Sequence, residues 1–411
     1  MLKKPNKGIY TTALLCWTGW VFDFYDLILI AFLIPTIEAS LHIDKSMGSW
    51  LLGIGLGASG LGGLIFGWLA DVYGRKTMLT LTVLMFSLGM LLTAFTQNAG
   101  QFMLARIITG LGLGGEWALG HALIAESVPK ESRARWGAFL QSGEPVGVSL
   151  AAIVGFIATP YIGWRGVFMA SSLTGILALV FRRHLKESPI WLKSRPHSAS
   201  EWQAKLLPFL KNYKRLLFLA TVFAILKIGT YWSCYTWLPR FIHETYGKAI
   251  EKSVLWILCG QLGQFLGIFL YGYTADWIGR RLAFSLFSLF TAVVLFLLAN
   301  FWSQLFLQYI SLFWLLIFLL GIGSGCVPGV GVILAEIFPT TQRTFAMSAA
   351  FSIARCMQLF TPVLVGMAVL RHGILGGLMV PAILAFLTAA WVFTLPSREN
   401  ARLDDVYLLE D

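Results

Sequence analysis

Twelve apolar runs set the limits on what this chain can fold into. They lie near residues 11–37, 48–70, 78–95, 102–126, 136–159, 164–182, 216–240, 253–274, 282–300, 307–335, 344–369 and 374–395. Most supply the ~20 residues that an α-helix needs to cross the hydrocarbon of a bilayer. In lipid a spanning backbone must satisfy its own hydrogen bonds, so runs of this length read as helices. Of the 411 residues, 57% are apolar and only 12% charged, about half the roughly 25% charge of a soluble domain. Soluble and disordered chains are thereby excluded. The five cysteines all fall inside apolar runs and lack CxxC spacing. They indicate neither a disulfide framework nor a metal site and read as packing residues. The expected fold is an all-α membrane protein of twelve transmembrane helices.

The net charge of +11 takes its meaning from its placement. With twelve spans both termini share one side, and that side holds 22 of the 31 Lys and Arg. The opposite loops hold six, and three (Arg106, Lys227, Arg355) fall inside spans. The positive-inside rule then puts both termini in the cytoplasm, in a multi-pass protein of the plasma (inner) membrane. The basic excess is a topology signal and calls for no nucleic-acid partner. The first apolar run is too long for a signal peptide, carries Asp23 and Asp26, and has no small-residue cleavage site before the second run. It reads as the first span.

A loop over 183–215 concentrates Pro, Ser and charge and divides the chain into 1–182 and 216–411, six spans each. The two parts repeat one another. Gly67-Trp-Leu-Ala-Asp71-Val-Tyr-Gly74-Arg75-Lys76 returns 205 residues later as Gly272-Tyr-Thr-Ala-Asp276-Trp-Ile-Gly279-Arg280-Arg281. Glu126-Ser-Val-Pro129 with Arg133 returns as Glu336-Ile-Phe-Pro339 with Arg343, an offset of 210, and Leu33-Ile34-Pro35 as Trp237-Leu238-Pro239, an offset of 204. Nearly constant spacing indicates two pseudo-symmetric six-helix bundles of the same orientation. This is a repeat plan of secondary transporters, with a site expected at the bilayer midplane between the bundles.

On these motifs the chain resembles the major facilitator superfamily over nearly its whole length. Arg106-Ile-Ile-Thr-Gly110-Leu-Gly-Leu-Gly114-Gly115-Glu116 and Lys186-Glu187-Ser188-Pro189-Ile190-Trp191-Leu192 resemble the metabolite:proton symporter branches. Asp23-Phe-Tyr-Asp26 and Gln141-Ser-Gly-Glu144-Pro-Val-Gly147 are similar to the sialate/lactate (monocarboxylate) group, from which Glu144 departs by standing where an apolar or aromatic residue is expected. The resemblance implies rocking alternating access, a small organic acid and protons as partners besides the bilayer, a monomer, and no cofactor. It also implies a conformational lock at the cytoplasmic helix ends, built from Asp71, Arg75, Asp276 and Arg280. Glu126 with Arg133 and Glu336 with Arg343 resemble partners in that network.

Two stretches, Gly55–Gly60 and Gly110–Gly115, satisfy GxGxxG. That pattern signals a dinucleotide only between a strand and a helix; inside apolar spans it signals close helix approach. No phosphate-binding GxxxxGK[ST], HExxH or GxSxG occurs, so the chain is not expected to be an enzyme.

The informative residues are charges within spans: Asp23, Asp26, Arg106, Glu116, Glu144, Lys227 and Arg355. Each costs about 2.5–3.5 kcal/mol at a helix centre if it faces lipid, so they are expected to face protein or a wet cavity. At ~1.5 Å per helical residue Asp23 falls level with Glu116, and Asp26 nearer Arg106. Asp23, Asp26, Glu116 and Arg106 are the proton-coupling candidates; permanent structural pairing is the alternative. Arg355 suits a carboxylate through its planar fork. Lys227, the symmetry mate of Asp23, is either a second substrate contact or the structural partner of Asp23. Tyr25, Tyr231, Trp232, Tyr235, Gln141, Glu144 and Gln358 are further candidate contacts, and His121 reads as a packing histidine. The expected function is proton-coupled symport of a small organic anion, a monocarboxylate or sialate-like acid. An aromatic-acid or dicarboxylate symporter or exporter, and a transporter-like metabolite sensor, remain alternatives.

Overall fold

The computed structural model describes residues 7–182, 185, 187–194, 199–246, 250–357 and 361–396. Every regular element among them is helical. The first six crossings use α1 (Lys7–Leu41), α2 (Lys45–Tyr73), α3 (Arg75–Ala94), α4 (Ala99–Ser127), the broken pair α5 (Arg133–Gln141) and α6 (Gly143–Ile157), and α7 (Thr159–Arg182). A short α8 (Pro189–Ser194) precedes the second six: α9 (Ala199–Tyr246), α10 (Ile250–Ile278), α11 (Arg280–Leu307), the pair α12 (Ile310–Ser324) and α13 (Pro328–Ile337), α14 (Arg343–Met357), and α15 (Thr361–Trp391). Within α15 the chain turns at Gly373, which separates the end of the eleventh crossing from the twelfth. Among the described residues nine stretches are long and apolar enough to span alone; the fifth, sixth and eleventh crossings complete the twelve. The sequence expectation of a loop over 183–215 holds only in part, because the chain is helical from Ala199 onward and runs unbroken into the seventh crossing. Trp202 and Phe209, seven residues apart on one face, are buried there and hold that segment against the bundle.

The repeat shows in backbone detail. Gly74 (φ 102°) and Gly279 (φ 96°) occupy equivalent turns, α2–α3 and α10–α11, at angles that only glycine adopts without strain. Glycine also sets helix spacing: a Cβ on Gly114 would overlap the backbone of α2 at Ser59 and Gly63, and one on Gly325 would overlap α10 at Gly267. The GxGxxG stretches are helix-packing surfaces, as expected.

The halves meet along α2 with α14 and along α5 and α6 with α10. Gly63 and Gly67 lie against Ser352 and Ser348, and Gly272 against Ala138. These contacts concentrate toward the face that carries the α2–α3, α4–α5, α10–α11 and α13–α14 turns. That face bears the excess of Lys and Arg and is termed the basic face.

Candidate functional site

On the basic face the GxxxDxxGR turns build two related charge clusters. Asp71 accepts from the Thr344 and Phe345 backbone N–H groups at 3.4 and 2.9 Å, and so caps α14 of the other half. Asp276 caps α5 in the same way through Ala134 and Arg135, both at 3.2 Å. Each carboxylate sits on the positive end of a helix dipole. Arg75 bridges Asp71 (3.0 Å) and Glu126 (3.4 Å), and Arg280 bridges Asp276 (3.4 Å) and Glu336 (3.5 Å). The remaining pairs are exchanged relative to the sequence expectation. Glu126 binds Arg343 at 2.6 Å and Glu336 meets Arg133 at 3.6 Å, so each glutamate takes the arginine of the opposite half. The resemblance to the superfamily implied the arginine seven residues downstream. Packing of α2 on α14 and α5 on α10 brings the other one closer.

The linker reaches both halves. Glu187 accepts from the Arg75 and Lys76 N–H groups at the start of α3. Trp191 donates to Asp71 O at 2.8 Å and lies under the Arg75 guanidinium. Trp202 donates to Thr341 O and sets its ring edge-on to Phe345.

Deeper in the molecule Asp26 and Arg106 form a two-armed ion pair, at 3.0 and 2.8 Å, with both side chains buried. Both belong to the first half. Arg355 enters from the second. Half-buried, it donates to Ser59 Oγ at 3.2 Å and lies over the Phe351 ring, and its charged neighbours are Asp23 and Glu144. Phe351 stacks on Trp117 of the first half at 3.8 Å and 9°.

Glu144 collects donors from both halves. Gln141 Nε2 donates to it at 2.6 Å and Gln264 Nε2 at 3.1 Å, and the Tyr231 hydroxyl reaches the same carboxylate. A carboxylate only accepts, so both amides turn their nitrogens toward it. That leaves Gln141 Oε1 to accept from His121 Nε2, 3.2 Å away.

Other candidates are placed elsewhere. Glu116 takes the Thr82 hydroxyl at 2.7 Å and faces α3. Tyr25 shares a 2.6 Å hydrogen bond with Ser171 of α7 inside the first half, so its hydroxyl is engaged away from the shared centre. Lys227 does not pair with Asp23. Its ammonium donates to Cys326 Sγ at 3.1 Å and faces the Phe284 ring, inside its own half, and its charge acts on Glu144. Gln358 and the Tyr235 side chain lie outside the described residues. Sequence reasoning missed Gln264, Ser59 and the Phe351–Trp117 stack. Gln261 and Gln264, two polar side chains one turn apart in an apolar span, were the available signal.

Comparison with known proteins agrees with this geometry. The sequence profile of the Major Facilitator Superfamily matches residues 16–260 and 253–406. The chain belongs to that superfamily. It is a membrane transporter, not an enzyme. A putative metabolite transport protein of Haemophilus influenzae is 32% identical over 98% of this chain and 100% of its own. The sialic acid transporter NanX of Escherichia coli is 30% identical over 85% of this chain and 84% of its own. Among solved structures, the proton:xylose symporter XylE superposes with a TM-score of 0.82 at 20% identity, covering 98% of this chain and 99% of that one. At that identity the likeness is one of fold.

Proposed function

We propose that this transporter couples proton movement to that of a small organic anion, a monocarboxylate or sialate-like acid, by alternating access. The basic face is assigned to the cytoplasm and the arrangement to the state closed on that side. The observation that carries the reading is Arg355. It is a half-buried guanidinium at the meeting of the halves, held among the described residues by one neutral hydroxyl, with Asp23 and Glu144 as its charged neighbours. A fork not spent on a two-armed carboxylate bond within the protein is suited to one from a ligand. Asp26 with Arg106 contrasts with it, since that guanidinium is already spent on a protein carboxylate. The lock reading for Asp71, Arg75, Glu126, Arg133, Asp276, Arg280, Glu336 and Arg343 is supported by ion pairs and helix caps that join opposite halves and must break if the basic face opens. Asp23, beside Arg355, is the carboxylate assigned to exchange its proton as the anion docks. The sialate side of the reading draws on the name of the NanX relative.

The test is uptake of labelled organic acids into proteoliposomes with and without an imposed pH gradient. Losing one partner of a desolvated charge pair costs ~2–5 kcal/mol, so Arg355→Gln is expected to lower substrate affinity by at least about thirtyfold with normal insertion. Undiminished uptake by that variant would overturn the reading.

A further inference from the structure

Glu144 is held differently from the other buried carboxylates of the centre. Asp26 and its partner Arg106 lie on α1 and α4, so a rocking of one half against the other leaves that pair intact. Of the donors to Glu144, only Gln141 belongs to the same half. Gln264 on α10 and Tyr231 on α9 belong to the other. The cations that act on it, Lys227 of α9 and Arg355 of α14, also come from the second half. On the first-half side, His121 of α4 reaches it through Gln141, and α1 contributes backbone at Trp17 and Val21 against Gly143 and Gly147. Asp23 of α1 acts on Arg355.

These donors and cations offset the cost of burying a charge on the carboxylate. If the halves separate at this depth, Glu144 loses two donors and both cations. A charged carboxylate left in that setting is costly, and taking up a proton removes the cost. Gln264 is itself fully buried, so its bond to Glu144 across the halves is shielded from water.

We propose that Glu144 is a proton-binding switch between the halves: ionised, it ties them through Gln264 and Tyr231 and holds the basic face closed; protonated, it releases them. Its use in symport rests on the function proposed above, whereas the switch itself belongs to the empty carrier. Because the open state then binds one more proton than the closed state, linkage sets the sign. The open fraction rises as pH falls, by at most about tenfold in the open-to-closed ratio per pH unit.

The experiment uses the full chain in lipid nanodiscs without substrate. One spin label sits on the α4–α5 turn and one on the α10–α11 turn, and their distance distribution is recorded from pH 5 to 9. Wild type is expected to show a long-distance population that grows on acidification. Glu144→Gln is expected to abolish that dependence. Gln264→Leu, which removes one donor to the anion, is expected to keep the titration and move its midpoint to higher pH. A Glu144→Gln variant that titrates as wild type does, or a Gln264→Leu midpoint that stays in place, overturns the proposal. If no organic acid binds at any pH while the distances still titrate through Glu144, the substrate reading fails and the switch stands.

Discussion

The two charge clusters of the basic face descend from one repeated motif and share one wiring plan, yet they differ in tightness and cover. In the cluster around Asp71 the shortest pair, Glu126 with Arg343, is 2.6 Å with both side chains at 0% exposure, and Trp191 and Glu187 of the linker close over it. Around Asp276 the corresponding contact, Glu336 with Arg133, is 3.6 Å. The short bond there comes from Arg135, whose side chain is 34% exposed. Among the described residues, the linker's Glu187 and Trp191 bond to the Asp71 side. Internal symmetry therefore copies the partners, while the unrepeated segment decides how dry each set is.

The comparison is tested most severely by removing the central glutamates. Glu126→Gln leaves Arg75 and Arg343 buried against each other without their shared anion, a loss of the kind that costs ~3–5 kcal/mol. It should open the basic face far more than Glu336→Gln, as read by the same label distances and by thermal unfolding in detergent. Equal effects would mean the two clusters carry equal load. A smaller effect is expected from Trp191→Phe, which removes the bond to Asp71 O, worth ~1 kcal/mol, and weakens the contact under Arg75. It should destabilise only the Asp71 side, so combining it with Glu126→Gln should add less than the sum of the two. The smallest belongs to Arg135→Ala. A pair whose cation reaches solvent contributes ~0–1 kcal/mol, and Asp276 keeps two backbone donors. Raising salt to about 1 M should erase even that difference, since screening reaches exposed charges and spares buried ones. Salt sensitivity of the Asp71 side would show that its cover is wet.

Much of this was legible beforehand. The motif pairs at offsets of 205 and 210 located the four acids and four arginines common to the two clusters, though not Arg135, because helix ends and turns carry local signals such as Gly74 and Gly279. Asp26 beside Arg106 followed from counting rise along two neighbouring spans. Reach across the bundle was not legible. Lys227 has the right depth to meet Asp23 and instead turns to Cys326. Glu116 has the right depth for the centre and faces Thr82. Glu126 and Glu336 exchanged arginines. In each case depth along the axis was accessible from residue number, and rotation about the axis was not.

The number, length and repeat of the spans, and the side that carries positive charge, were determined by sequence alone. They follow from hydropathy and from the fixed rise of a helix, both of which are properties of one segment at a time. The tertiary structure alone decided that Glu144 would gather Gln141, Gln264 and Tyr231 from two halves, and that one cluster would lie beneath a tryptophan. Those outcomes depend on which helix faces pack together, and small residues scattered along separate spans set that choice jointly.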